Sequence, residues 1–200
     1  MTAVPELRDG AVLLRAHTGA DLPAVVEQCQ DREMQRFTTV PVPYVPDDAT
    51  GFLNHVRAGW ADGTVASWAI EVVGRFAGSV DLRLGEGWGS IGYGLHPWAR
   101  GRGVMTTAVG LALEWGFARR GLVGIRWEAF VGNEASRRVA KKCGFLMEGT
   151  ARGISPARGE RHDAWIGSLL PEEWREGFAV VTPEGRRRHP IDPLTGPLPR

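Results

Sequence analysis

This chain has little of what covalent or metal chemistry needs. Only two of its 200 residues are cysteine, Cys29 and Cys143. They lie far apart, without the close spacing of a metal site, and read as core filler in a reducing compartment. The histidines His17, His55, His96, His162 and His189 are scattered. No nucleophilic triad and no metal ligand spacing can be read from them, so no metal is expected. An excess of one charge is also missing, with 24 Lys+Arg against 23 Asp+Glu and a net charge of +1. No global field favours nucleic acid or a membrane surface as partner. The opening MTAVPELRDG has no apolar core of a secretory leader, no run approaches membrane-spanning length, and no repeat of fixed period is visible. A soluble, cytoplasmic protein is expected.

What is present is enough apolar material for a full core, 43% of the chain. The reading is one domain over residues 1–170 and a C-terminal extension over 171–200. The extension should hold a short helix with Trp174 and Phe178, then the mobile end RRRHPIDPLTGPLPR. Eight tryptophans are enough for core, pocket and a homodimer contact.

The chain is organised around Trp88 to Arg120. Ile91, Tyr93 and Leu95 alternate with Gly92, Gly94 and His96 as a strand, which Pro97 ends. Arg100-Gly101-Arg102-Gly103 makes a basic, glycine-rich turn. Val104, Ala108, Leu111, Ala112 and Trp115 then fall on one helical face. Glycines at a helix start let a ligand approach unpaired N–H groups, which suits a phosphate. Thr106 stands where a dinucleotide fingerprint needs its third glycine, and the Gly-Lys-Ser/Thr of a P-loop is absent.

The remaining elements follow in order. Ala11–Ala16 is a short strand. A helix opens at Ala20-Asp21 with Asp21 as cap. Asp31 to Pro46 is irregular, with Pro41, Pro43 and Pro46, and Phe37 and Tyr44 anchor it. Asp47 or Asp48 caps a second helix. Strands Ala66–Val73 and Arg75–Leu84 precede the one above as an antiparallel meander. Ile125–Val131 is a fifth strand, parallel to the fourth across the helix. Asn133 caps a helix, Glu134–Cys143, whose buried face carries Ala135, Val139 and Cys143. Phe145–Ala151 and Asp163–Leu170 close the sheet as a hairpin with a long Gly/Pro/Arg loop.

Two motifs in that order resemble one family. Arg100-x-x-Gly103-x-Met105 is similar to the acyl-coenzyme A signature of the GNAT N-acetyltransferase superfamily, with Met105 in place of the usual small residue. Asn133-x-x-Ser136 with Lys142-Cys143-Gly144-Phe145 resembles its second segment. HPWARGRGVMT points to the RimJ/RimL-like group of ribosomal-protein alanine acetyltransferases. The resemblance implies an α/β (α+β) GNAT fold: a mixed, mostly antiparallel sheet of about seven strands with flanking helices, strands four and five parallel and splayed. It implies acetyl-CoA as cosubstrate, bound at Gly94, Leu95, Arg100, Gly101, Arg102, Gly103, Val104, Met105, Thr106 and Asn133. Ser136 would give a proton to the departing thiolate. The acceptor would be a primary amine, a protein N-terminal α-amine first and a small-molecule amine (antibiotic or polyamine) as the alternative. A non-catalytic acyl-CoA-binding module is the reading from another class.

No base stands out. The group's glutamate aligns with Ser155, and Glu71, Asp81, Glu128, Glu160 and Asp163 are left as carboxylates that could act through water. An α-amine with pKa ~8 is roughly a tenth neutral at pH 7, a lysine near ~10.4 far less, so the α-amine needs less help.

Overall fold

The computed structural model describes residues 3–177, 180–181 and 187–188. The Pro- and Arg-rich end for which mobility is expected lies outside them but for Arg187–Arg188.

Eight strands form one sheet: β1 Leu7–Asp9, β2 Val12–Arg15, β3 Val65–Val72, β4 Arg75–Leu84, β5 Trp88–Leu95, β6 Gly124–Phe130, β7 Leu146–Ala157 and β8 Glu160–Leu169. Their order is β1-β2-β3-β4-β5-β6-β8-β7. β1 is additional to the seven strands expected; it pairs with β2 through a turn at Gly10, from a stretch too short and polar to show a period. Every neighbouring pair is antiparallel except β5 and β6. Those two are joined by the crossover helix α4, Val104–Arg120, as parallel neighbours require.

β3 is buried on both faces because helices cover both sides of the sheet. Ala66, Trp68 and Ile70 face the main core beneath α4. Ala69 faces a second cluster with Val25, Cys29, Tyr44, Ala49 and Phe76, under α1 Leu22–Gln30 and α3 Pro46–Asp62. α4, Val104–Arg120, is more deeply buried than a single stripe predicts: Met105, Val109, Leu113 and Phe117 are buried, while Leu111 and Trp115 are only half-buried. Trp174, in α6 Pro171–Gly177, is buried with its ring 6.5 Å from that of Phe117.

Four local expectations need correction. Asp21 does not cap α1 through its side chain; it accepts bonds from the Thr18 N–H and from Arg15, each at 2.8 Å, and a short 3-10 turn precedes the helix. The segment read as irregular contains α2, Arg32–Phe37, whose cap is the Asp31 carboxylate accepting from the Met34 N–H at 3.0 Å. α3 starts at Pro46, and Asp48 reaches back to the Val45 N–H at 2.8 Å rather than serving as the cap. Ala135, expected on the buried face of α5 Glu134–Lys142, is exposed; Ala140 and Cys143 are the fully buried residues there.

The loop expected after Ala151 is strand. β7 and β8 run on to a two-residue turn, Arg158-Gly159, with φ of 48° and 81°. Both central residues in the left-handed region suit the twist of a tight hairpin. Gly153 and Pro156 fall in the stretch read as loop, but here they sit in a strand broken by two register shifts.

Candidate active site

The site is made by a split in the sheet. β5 and β6 pair only from Trp88 to Ile91 against Gly124 to Trp127. Beyond that, Gly92–Leu95 stay with β4 and Ala129 and Phe130 stay with β8. Two cavities open at the fork, of about 410 and about 430 Å³. Tyr93, Gly94, Asn133 and Ser136 line both, as do Met34, Phe37 and Thr38 of the α2 segment.

The second cavity runs along the turn before α4. It is lined by Gly94, Leu95, Arg100, Gly101, Gly103, Val104, Met105, Thr106 and Asn133, together with Arg138 and Lys142 of α5. Gly101 and Gly103 have φ of 77° and 76°, and a Cβ on either would meet nothing within 4 Å. The cradle is therefore open. The first helical bond runs from the Thr107 N–H to the Gly103 carbonyl at 3.1 Å. The N–H groups of Val104, Met105 and Thr106 precede it and are left for a ligand, at the positive end of the helix. This donor set fits the diphosphate of a coenzyme.

The two arginines of the turn part company. Arg102 is exposed and does not line the cavity. Arg100 bonds to Asp31 at 2.5 Å and to the Leu95 carbonyl at 3.3 and 3.2 Å. Burial works to raise the Asp31 carboxyl, but Arg100 and the Met34 N–H outweigh it and hold it below the usual range. Arg100 thus ties the turn to the start of α2.

At the junction, Asn133 accepts from the Ser136 N–H at 3.1 Å, which caps α5. Trp127 donates its indole N–H to Ser136 Oγ at 3.0 Å. Ser136 Oγ donates to the Tyr93 hydroxyl at 3.1 Å, and Tyr93 donates to the Ser136 carbonyl at 3.0 Å. Burial pushes the Tyr93 phenol well above its ordinary pKa, so it stays protonated. Tyr93 was visible in the sequence only as one more apolar position of a strand; its hydroxyl role needed the partner from α5.

Two of the carboxylates that the sequence offers, Glu128 and Asp81, line the first cavity, and Glu33 lines the second. Glu128 projects into the first cavity and accepts a short hydrogen bond from Ser155, which is 5% exposed. Asp81 lines it too, 3.1 Å from Arg83, and burial raises its carboxyl against that pairing. Of the other sequence candidates, Glu71 is paired with Arg15 at 2.7 Å, Asp163 accepts from the Gly153 N–H at 2.8 Å, and Glu160 starts β8 on the surface. None of these three lines either cavity. Phe130 stacks on His162, centroids 4.6 Å apart, and forms part of the first cavity's wall. No cluster of three or more His, Cys, Asp or Glu side chains suited to a metal occurs among the described residues.

A family model described as acetyltransferase (GNAT) domain matches residues 11–146. The chain belongs to the GNAT acetyltransferase family. YdaF, a candidate ribosomal N-acetyltransferase of Bacillus subtilis (strain 168), is 38% identical over 84 residues, 42% of this chain and 46% of YdaF. The match therefore spans less than half the length of that curated relative. Two solved structures share the fold of this GNAT chain. Mycobacterium smegmatis RimJ in complex with CoA-disulfide superposes with a TM-score of 0.75 at 23% identity, covering 85% of this chain and 88% of RimJ. The ribosomal-protein-S5-alanine acetyltransferase of Vibrio fischeri gives 0.73 at 18% identity, covering 85% and 98%.

Proposed function

We propose that this chain transfers an acetyl group from acetyl-CoA directly to a primary amine, and that the amine is the N-terminal α-amine of a protein. The observation that carries the reading is the meeting of two cavities at Tyr93, Gly94, Asn133 and Ser136: one offers helix-start N–H groups, the other Glu128 and Asp81. The relatives named for ribosomal-protein acetylation support a ribosomal protein as acceptor, and the CoA-disulfide complex of RimJ supports the coenzyme.

Acetyl-CoA supplies an activated acyl carbon. The N–H groups of Val104 to Thr106 hold its diphosphate, with Gly101 and Gly103 leaving room. Arg100 keeps the turn in shape through Asp31 and Leu95. Arg102 adds positive charge from solvent. The β5 edge at Gly94 and Leu95, which β6 has left and where Arg100 takes the Leu95 carbonyl, lies along the carrier arm. Asn133 spends its oxygen on the helix cap and keeps its NH2 for an amide of that arm. Ser136 donates a proton to the departing thiolate, with the protonated Tyr93 phenol one hydrogen bond away. Glu128, fixed by Ser155, takes the proton the amine loses. Most of the acceleration is then positioning.

The test is release of free thiol from acetyl-CoA. It should rise on addition of a peptide with a free N-terminus and stay at background with its N-acetylated form. Release stimulated only by polyamines or aminoglycosides favours the small-molecule acceptor. No amine-dependent release from a protein that binds acetyl-CoA favours a binding module.

A further inference from the structure

One polar side chain in the first cavity has no work in the fold. Gln28 is 3% exposed, on α1, and lines the cavity beside Met34 and Gly94. Its carbonyl oxygen is buried without a hydrogen-bond partner, and its NH2 donates to no described residue. An unpaired buried amide costs about 1–3 kcal/mol, and native structures rarely keep one without use. The amide is held in place by contact. A Cβ on Gly94 would lie 3.2 Å from the Gln28 amide nitrogen and 2.6 Å from the Met34 methyl, so these side chains lie directly over the Gly94 backbone. Gly94 is also where the two cavities join.

We infer that Gln28 is a specificity-determining residue that pairs with the first peptide group of the acceptor. This rests on the acceptor reading above. A carboxamide presents one acceptor and a pair of donors on one rigid plane. A peptide unit presents the complement, a C=O and an N–H, and its carbonyl carbon is only two bonds from the α-amino nitrogen. An acceptor whose amine is at the fork therefore brings its first peptide group to the wall beside it. A polyamine carries methylenes there and then a second cation, which can donate but not accept. Gln28 can satisfy its own unpaired groups with a peptide and cannot with an alkylamine. A site built to hydrogen-bond a ligand rejects analogues that leave its buried polar groups unpaired.

The experiment compares the parent protein with Gln28→Met, which keeps volume and removes the amide. Turnover is followed with a short peptide bearing a free N-terminal alanine or serine, and with butylamine. The expected result is a fall in the ratio of peptide to butylamine kcat/KM of about tenfold or more, carried by KM, since one hydrogen bond of ~1.4 kcal/mol is a factor of ten. Tm should hold or rise by a few degrees as the unpaired group is lost. An unchanged ratio with active parent enzyme overturns the inference and leaves the acceptor reading standing. A marked fall in Tm overturns it too, because it makes the amide part of the fold. A parent that acetylates butylamine and not the peptide, or neither, overturns the acceptor reading and this inference with it.

Discussion

At the scale of single residues, the account rests on a few side chains with separable duties. Glu128→Gln keeps the bond from Ser155 but cannot take a proton, so kcat with a peptide should fall about 10²-fold at pH 7. The deficit should shrink as pH rises past the amine's own pKa of ~8, where the amine is already neutral. A pH–rate profile with the deficit constant from pH 6 to 9 would remove Glu128 from this role. Ser136→Ala should lower kcat and leave the acetyl-CoA dissociation constant within about twofold, read by calorimetry and steady-state rates. Turnover at the parent rate would reject Ser136 as proton donor. The sequence names Ser136, Asn133 and the glycines of the turn because each belongs to a short local pattern. Glu128 appears only among several carboxylates, Tyr93 only as an apolar strand position, and Gln28 not at all. Their importance comes from partners or cavities that form far along the chain, 27 positions away for Glu128 and Ser155 and 43 for Tyr93 and Ser136.

Secondary-structure elements show a different limit. Strands β3 to β6 and helix α4 are legible because their periods are long and their ends carry glycine or proline. The β7–β8 hairpin is not, because two register shifts and its glycines erase the alternation. That reading named Ser155 but placed it in a loop, and so missed that it lies on a strand and bonds to Glu128. The hairpin tip also reaches the opposite wall: Arg158 donates to the carbonyls of Thr38 and Val40 at 2.9 and 3.1 Å. Arg158→Ala should loosen the wall of the first cavity, raising KM for the peptide several-fold with little change for acetyl-CoA. Steady-state kinetics with each substrate varied checks this. The Arg100 tie predicts a second asymmetry. Arg100→Glu places a carboxylate beside Asp31 and the Leu95 carbonyl, so it should weaken acetyl-CoA binding about tenfold or more. Arg102→Glu, exposed and screened by solvent, should weaken it only a few-fold. Equal effects would contradict the placement of the turn.

For the whole molecule, two cores on opposite faces of one sheet hold the fork open, and this arrangement follows from the near-continuous apolar run of β3. The second core carries an acid-sensitive group. His17 is buried against the rings of Phe52 and Phe76, and burial lowers its pKa from 6.5 to about 4. The unfolded chain therefore binds a proton at His17 that the folded chain refuses. Stability should fall as pH drops from 6.5 to about 4, by roughly 3 kcal/mol from this group. His17→Leu should flatten that part of the profile in denaturant titrations, and an unchanged slope would show that His17 does not set it. Whole-molecule features were the easiest to foresee, since one sheet with flanking helices follows from element order. The acceptor depends on cavity shape, which no local pattern encodes. The most direct measurement is mass spectrometry of protein N-termini after incubating the chain with labelled acetyl-CoA and a ribosomal-protein fraction bearing free N-termini. The account predicts label on the α-amine of one or a few proteins. Label confined to small amines, or none at all from a protein that binds acetyl-CoA, would contradict it.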